Sequence, residues 1–145
     1  VTVIDISRKL LAIAEQRKVD KNIDNVTFLQ TSLFDERLQQ DSFDVVMAFY
    51  ILHLLDDTDA VLKRIHSLIK PGGLFISETA CMGGKNKVAN GVLGFMGNIG
   101  LLPKFTFLTT EQLEHALDRH GFVLIEKARF SNKSDSEFTL FARKK

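Results

Sequence analysis

At 145 residues the chain has room for one domain with a substantial core, and 45% hydrophobic with 26% charged residues describes an ordinary globular protein. A formal net charge of +1 argues against a nucleic-acid binder, which carries a basic face. The lone cysteine, Cys81, excludes an internal disulfide, and no apolar run reaches membrane-spanning length or follows a basic leader, so no membrane partner is expected and the cytoplasm is the expected location.

In chain order, residues 1–5 (VTVID) are a β-branched run ending in an acid, read as a buried strand. Ser7 is a good N-cap, and Leu10, Ile13, Ala14 and Arg17 recur at helical spacing, so a helix is expected over about residues 8–18. Residues 26–30 (VTFLQ) read as a second strand, followed by a loop carrying Thr31, Ser32 and Leu33. The stretch 42–55 (SFDVVMAFYILHLL) holds a third strand over 43–49, whose apolar run without alternation is the pattern of a strand buried on both faces in a parallel sheet. Asp56, Asp57, Thr58 and Asp59 offer caps for a helix with Val61, Leu62, Ile65, Leu68 and Ile69 as its buried stripe.

Pro71-Gly72-Gly73 is expected to stop that helix, with a fourth strand over 74–79. Residues 82–102 are a glycine-dotted apolar segment. Thr109 or Thr110 caps a last helix with Leu113, Ala116 and Leu117, and Gly121 ends it. Residues 122–130 and 136–143, separated by SNKSDS, read as an antiparallel hairpin. Strands alternating with helices and closed by a hairpin give an α/β fold in three layers, with a mostly parallel sheet and an antiparallel C-terminal end.

Ligands of such sheets bind beyond the carboxyl ends of the strands, which directs attention to three places. Asp5 ends the first strand, where an acid can accept hydrogen bonds from both hydroxyls of a ribose; a helix-capping aspartate is the alternative. Ser32 and Leu33 follow the second strand, where a hydroxyl and a backbone N–H meet a purine edge, an ordinary loop being the simpler reading. Phe49, Tyr50 and His53 follow the third strand; aromatic faces stabilise a cation and an imidazole serves as a general base near neutral pH. Each alone is more readily a packing residue, but as a cluster at a strand end they favour ligand contact. His66, His115 and His120 fall on expected helix surfaces and receive no role, and no metal-ligand spacing, nucleophile elbow or phosphate loop occurs.

Taken together, VTVIDIS, NVTFLQTSLF, SFDVVMAFYILHLL and LIKPGGLFISE resemble consecutive motifs of class I S-adenosylmethionine-dependent methyltransferases of the small-molecule type. The hairpin with EQLEHALDRHGF and FTLFARK agrees with the family's C-terminal end. The resemblance implies a Rossmann-like methyltransferase fold, S-adenosylmethionine as cofactor, and methyl transfer to a small, partly apolar acceptor. It implies that Asp5 binds the ribose hydroxyls, Ile6 packs on the adenine and Leu33 offers its N–H to the ring. Ser32 stands where the family usually has an aspartate facing the adenine amino group. Phe49 stands where many relatives carry a small or polar residue at the methyl-transfer centre. Phe49 and Tyr50 would border the sulfonium, with His53 as candidate general base.

The family's first strand and glycine-rich loop have no counterpart in these residues; they would precede Val1, on the order of 30 residues or more. With Val1 already inside a strand-like run, the expectation is a partial domain whose central strand is supplied upstream or by another segment, including strand exchange in a homodimer. Residues 82–108 are expected to form a lid and acceptor-pocket wall, with a packing or dimer helix as the alternative. Two other functions compete: a nicotinamide-dependent oxidoreductase, which also uses an acid after its second strand, and a non-catalytic binding protein on the same fold. The Tyr-x-x-x-Lys pair of one dehydrogenase group is absent, because Leu54 follows Tyr50 four residues on.

Overall fold

A computed structural model describes residues 1–55, 57–80, 109–128 and 137–145, without the side chains of 53, 79, 80 and 137. The expected lid at 82–108 therefore lies outside the described residues, as do 129–136 between the hairpin strands. The backbone divides into two compact units, Val1–Leu38 and Gln39–Lys145.

In the first unit, β1 (Thr2–Asp5) pairs in parallel with β2 (Thr27–Gln30), Thr2 opposite Thr27 and Asp5 opposite Gln30. They are joined through α1 (Arg8–Asp20), whose N-cap Ser7 accepts the Leu10 N–H. The cap is where the sequence places it, because a hydroxyl here satisfies one of the amides that a helix start leaves unpaired. Burial departs from expectation. No residue of α1 is buried, and the β1 strand expected to be buried is exposed at Thr2 and Val3. Leu10 and Ile13, the stripe that signalled the helix, face outward uncovered.

The second unit holds a four-stranded sheet in the order β3-β4-β6-β5. β3 (Phe43–Phe49) occupies the limits expected and lies parallel to β4 (Ile69–Ala80), with Val46 opposite Phe75 and Phe49 opposite Glu78. β5 (Phe122–Ala128) and β6 (Glu137–Lys144) form the expected antiparallel pair, with β6 inserted between β4 and β5. β3 is not covered on both faces as its sequence suggested. Among the described residues it has one ladder partner, and Val45 is 41% and Met47 54% exposed. An unbroken apolar run reports what a strand is suited to face; cover comes from neighbours that sequence periodicity does not identify.

β4 also begins earlier than expected. The α2 helix (Thr58–Leu68), capped by Asp57 accepting the Ala60 N–H, hands over directly at Ile69, and Pro71-Gly72-Gly73 lies within the strand. The turn becomes a register shift: Phe43 pairs with Ile69 but Val45 with Leu74. Gly72 adopts φ +76, and a Cβ on Gly73 would sit 2.7 Å from the Asp44 carbonyl oxygen, so both glycines are needed where the strand bulges past β3.

The core lies against this sheet. The α2 stripe of Val61, Leu62, Ile65 and Leu68 is buried as its spacing predicts. So are Leu113, Ala116 and Leu117 of α3 (Thr110–Arg119), whose start is a full capping box between Thr109 and Gln112. Phe75 and Phe122 are fully buried with ring centroids 5.6 Å apart.

His66 corrects a further expectation. It is half-buried rather than on the surface, edge-on to the Phe122 ring at 5.2 Å. Desolvation, reinforced by the Lys144 ammonium, lowers its pKa below the ordinary 6.5, against the opposing pull of Asp41 and the Gly121 backbone; the nearby His120 adds to the lowering. A base whose folded pKa is depressed takes up protons more readily when unfolded. Its stabilising contribution is therefore complete above 6.5 and lost as pH falls through the folded value. Urea midpoints should fall between about pH 8 and about pH 5.5 for the wild type, and by less for His66→Gln. The carboxylates of this unit with lowered pKa values, Asp44, Asp59, Glu111 and Asp118, lose their contributions only at lower pH.

Candidate active site

The residues singled out in sequence fall at two strand ends, one in each unit. In the first unit, the Thr31 N–H donates to the Asp5 carbonyl at 3.1 Å, and the Gln30 side-chain amide to the Ile6 carbonyl at 3.4 Å. These bonds bring Asp5–Ile6 and the loop of Ser32–Leu33 to the same carboxyl end of the β1–β2 pair. Asp5 is half-buried, and its Oδ1 accepts the Ser7 N–H at 2.7 Å. That bond fixes the carboxylate's orientation while leaving it acceptor capacity, since two carboxylate oxygens offer about four lone-pair sites. Ile6 beside it is 76% exposed. Ser32 is exposed, its hydroxyl accepting the Phe34 N–H at 3.3 Å, and its carbonyl accepts the Asp35 N–H at 3.2 Å, which closes the loop into a turn.

Sequence reasoning missed what anchors this loop. Asp35 accepts from the Thr31 hydroxyl, from the Arg37 backbone N–H at 2.8 Å and from the Arg37 guanidinium at 2.7 Å. The Arg37 and Thr31 hydrogen bonds hold its carboxyl well below the usual carboxylate range. The signal was the triplet Asp-x-Arg two residues after Ser32-Leu33, short enough for a guanidinium to fold back on its own turn. It makes the loop a defined backbone surface.

In the second unit, β3 ends in Phe49 and Tyr50 follows it, 52% and 45% exposed, while Ala48 before them is buried. A one-turn 3-10 helix, Leu52–Leu54, follows and is seated by the fully buried Leu52. His53 lies on this turn, and its side chain is outside the described residues. Tyr50 adopts φ +53, the left-handed region that bulky L-residues avoid at a cost of about 1–3 kcal/mol. Two bonds from one residue of β4 hold it there. The Tyr50 N–H donates to the Glu78 carbonyl at 2.7 Å, and the phenol donates to Glu78 Oε1 at 2.8 Å. Glu78 had no role in the sequence reading, because which β4 residue lies beside the end of β3 depends on register. Phe49 is its direct ladder partner.

Residues 1–135 match the family model described as a methyltransferase domain. The ubiquinone biosynthesis O-methyltransferase of Albidiferax ferrireducens is 30% identical over 107 residues, 73% of this chain and 42% of that protein. The demethylmenaquinone methyltransferase of Lactococcus lactis is 36% identical over 70 residues, 48% of this chain and 28% of that protein. The chain thus spans well under half the length of these two relatives. Among solved structures, an S-adenosylmethionine-dependent methyltransferase from Mesorhizobium loti superimposes with a TM-score of 0.74 at 21% identity, covering 99% of this chain and 80% of that one. The [4+2]-cyclase SpnF has the same fold, with a TM-score of 0.74 at 17% identity over 99% of this chain and 65% of the other.

Proposed function

Because the chain belongs to the methyltransferase-domain family and carries the class I S-adenosylmethionine-dependent fold, we propose that it takes part in transferring a methyl group to a small, partly apolar acceptor. S-adenosylmethionine, the family's cofactor, supplies an electrophilic methyl on a cationic sulfur. The observation that carries the reading is the β1–β2 carboxyl end, where an oriented, half-buried carboxylate adjoins an exposed apolar side chain and a tightly turned loop. A ribose needs acceptors for paired hydroxyls and an adenine needs an apolar platform; Asp5 and Ile6 have the chemistry for these roles. The Leu33 backbone and the Ser32 hydroxyl serve the purine edge. Serine there gives a neutral contact where a carboxylate would give a charge-assisted one.

Phe49 and Tyr50 carry the aromatic faces that would stabilise a cationic sulfur. Charge disperses in such a transfer, so the protein contributes alignment and exclusion of water more than covalent chemistry. Tyr50 or His53 receives a proton if the acceptor must lose one. The two curated relatives, named for ubiquinone biosynthesis and for demethylmenaquinone, support an apolar, ring-bearing acceptor. Calorimetric titration with S-adenosylhomocysteine and with NADH tests the reading. Binding of the first alone is expected; binding of NADH alone would make the protein a nicotinamide enzyme, and silence with both would make it a non-catalytic member of the fold.

A further inference from the structure

We infer that Glu78 and Phe49 form a subsite for an organic cation, an ammonium or sulfonium with carbon substituents, at the carboxyl end of the β3–β4 pair. As a cation site it stands on the second unit alone. Where it names the charge carried by a methyl donor or acceptor, it rests on the methyl-transfer reading.

Glu78 and Glu114 are the two half-buried acids among the described residues of this unit. Glu114 is paired with the Lys127 ammonium at 2.8 Å. Glu78 has no Lys, Arg or His partner among the described residues; its Oε1 accepts the Tyr50 phenol at 2.8 Å, a bond that orients the carboxylate without cancelling its charge. Withdrawing a carboxylate from water costs free energy that an adjacent cation offsets. Even the exposed acids Asp41, Asp44, Asp59 and Asp118 are each paired with a basic side chain. The acid with more need of a countercharge is the one without it.

Phe49 supplies the other half of the subsite. It is the ladder partner of Glu78, so the two side chains leave one face of the sheet from backbones about 5 Å apart. Its ring is 52% exposed. An aromatic face stabilises a weakly hydrated organic cation, and the neighbouring carboxylate supplies the opposite charge. A metal ion would need several oxygen donors, where this end offers one carboxylate with an oxygen already engaged. Tyr50 fixes the arrangement. In a continuing strand its side chain would leave by the opposite face, and φ +53 turns it so that the phenol reaches Glu78. The strained turn thereby holds the carboxylate in place.

Choline and its neutral carbon isostere, in which a tert-butyl group replaces the trimethylammonium, differ in charge and scarcely in shape. Tyr50 is the only tyrosine and the chain has no tryptophan, so tyrosine emission follows both titrations from beside Glu78. Wild type should bind choline at least about fivefold more tightly than the isostere, the worth of one partly desolvated charge contact. Glu78→Gln, which keeps the side chain's shape, should erase that preference, and Phe49→Leu should reduce it about threefold. A carboxylate that merely braced the turn would alter the affinity for both probes alike. Equal affinities in wild type, binding of neither probe, or a preference that survives Glu78→Gln would overturn the inference. So would a preference that Phe49→Leu leaves untouched, which keeps the test decisive if Glu78→Gln does not fold. Competition identifies the source of the charge. Choline displaced more readily by S-adenosylmethionine than by S-adenosylhomocysteine gives the site to the donor's sulfonium; no such difference gives it to an ammonium on the acceptor. Failure of S-adenosylhomocysteine to bind at all would remove the methyl-transfer reading while the preference for choline stood.

Discussion

Asp5→Ala is expected to weaken S-adenosylhomocysteine binding by at least about 1.5 kcal/mol, roughly tenfold in Kd, the worth of a charge-assisted hydrogen bond. The carboxylate has two jobs in the structure, so the substitution needs a partner. Its Oδ1 also accepts the Ser7 N–H at the entry to α1, and alanine removes that bond together with any to a ribose. Asp5→Asn keeps an oxygen for the Ser7 amide but loses the charge. The helix has its own cap in the Ser7 hydroxyl, so far-ultraviolet helicity should hold in both variants. If Asn falls with Ala, the loss belongs to ligand recognition; if Asn retains wild-type affinity, the entry turn was the cause. Unchanged affinity in both would remove Asp5 from the site.

Phe75→Ala should cost about 3–5 kcal/mol in the stability of the Gln39–Lys145 unit, the range for deleting a fully enclosed aromatic ring. Phe75 lies on β4, opposite Val46 of β3 and Ala142 of β6, and its ring touches Phe122, so little can move into the space it leaves. Met47→Ala, one residue along β3 from Val46 and 54% exposed, should stay within about 0.5 kcal/mol. Urea midpoints for both variants check the contrast. A Phe75→Ala shift no larger than that of Met47→Ala would mean that this sheet face is not where the unit's stability resides.

That contrast also marks how far the sequence could be read. Val46 and Met47 sit side by side in one apolar run, and nothing in the letters separates the residue opposite the enclosed Phe75 from its exposed neighbour. Signals carried within a few residues survived intact. Ser7, Asp57 and Thr109, each among the caps expected, start the helices, and Phe43–Phe49 begins and ends as its flanks suggest. Signals that depend on a partner far along the chain did not. His66 reads as a surface position on α2, yet it is half-buried because Gly121 and Phe122 of another element pack against it. Pro71-Gly72-Gly73 reads as a stop, and becomes a bulge because β3 pairs with β4 on both sides of it, across a shift in register. Glu78 was invisible for the same reason. A β-register brings it to Tyr50, and registers are set by whole strands.

The placement of β6 governs when the sheet of the second unit can close as the chain leaves the ribosome. β4 and β5 are synthesised earlier, and each pairs with β6 rather than with the other. A nascent chain that has emerged only as far as β5 carries one side of β4 without its antiparallel partner, a bare edge inviting intermolecular pairing. Closure of the sheet thus waits for β6 and joins β4 to residues far along the chain, so exposure to aggregation is greatest while β6 has yet to emerge.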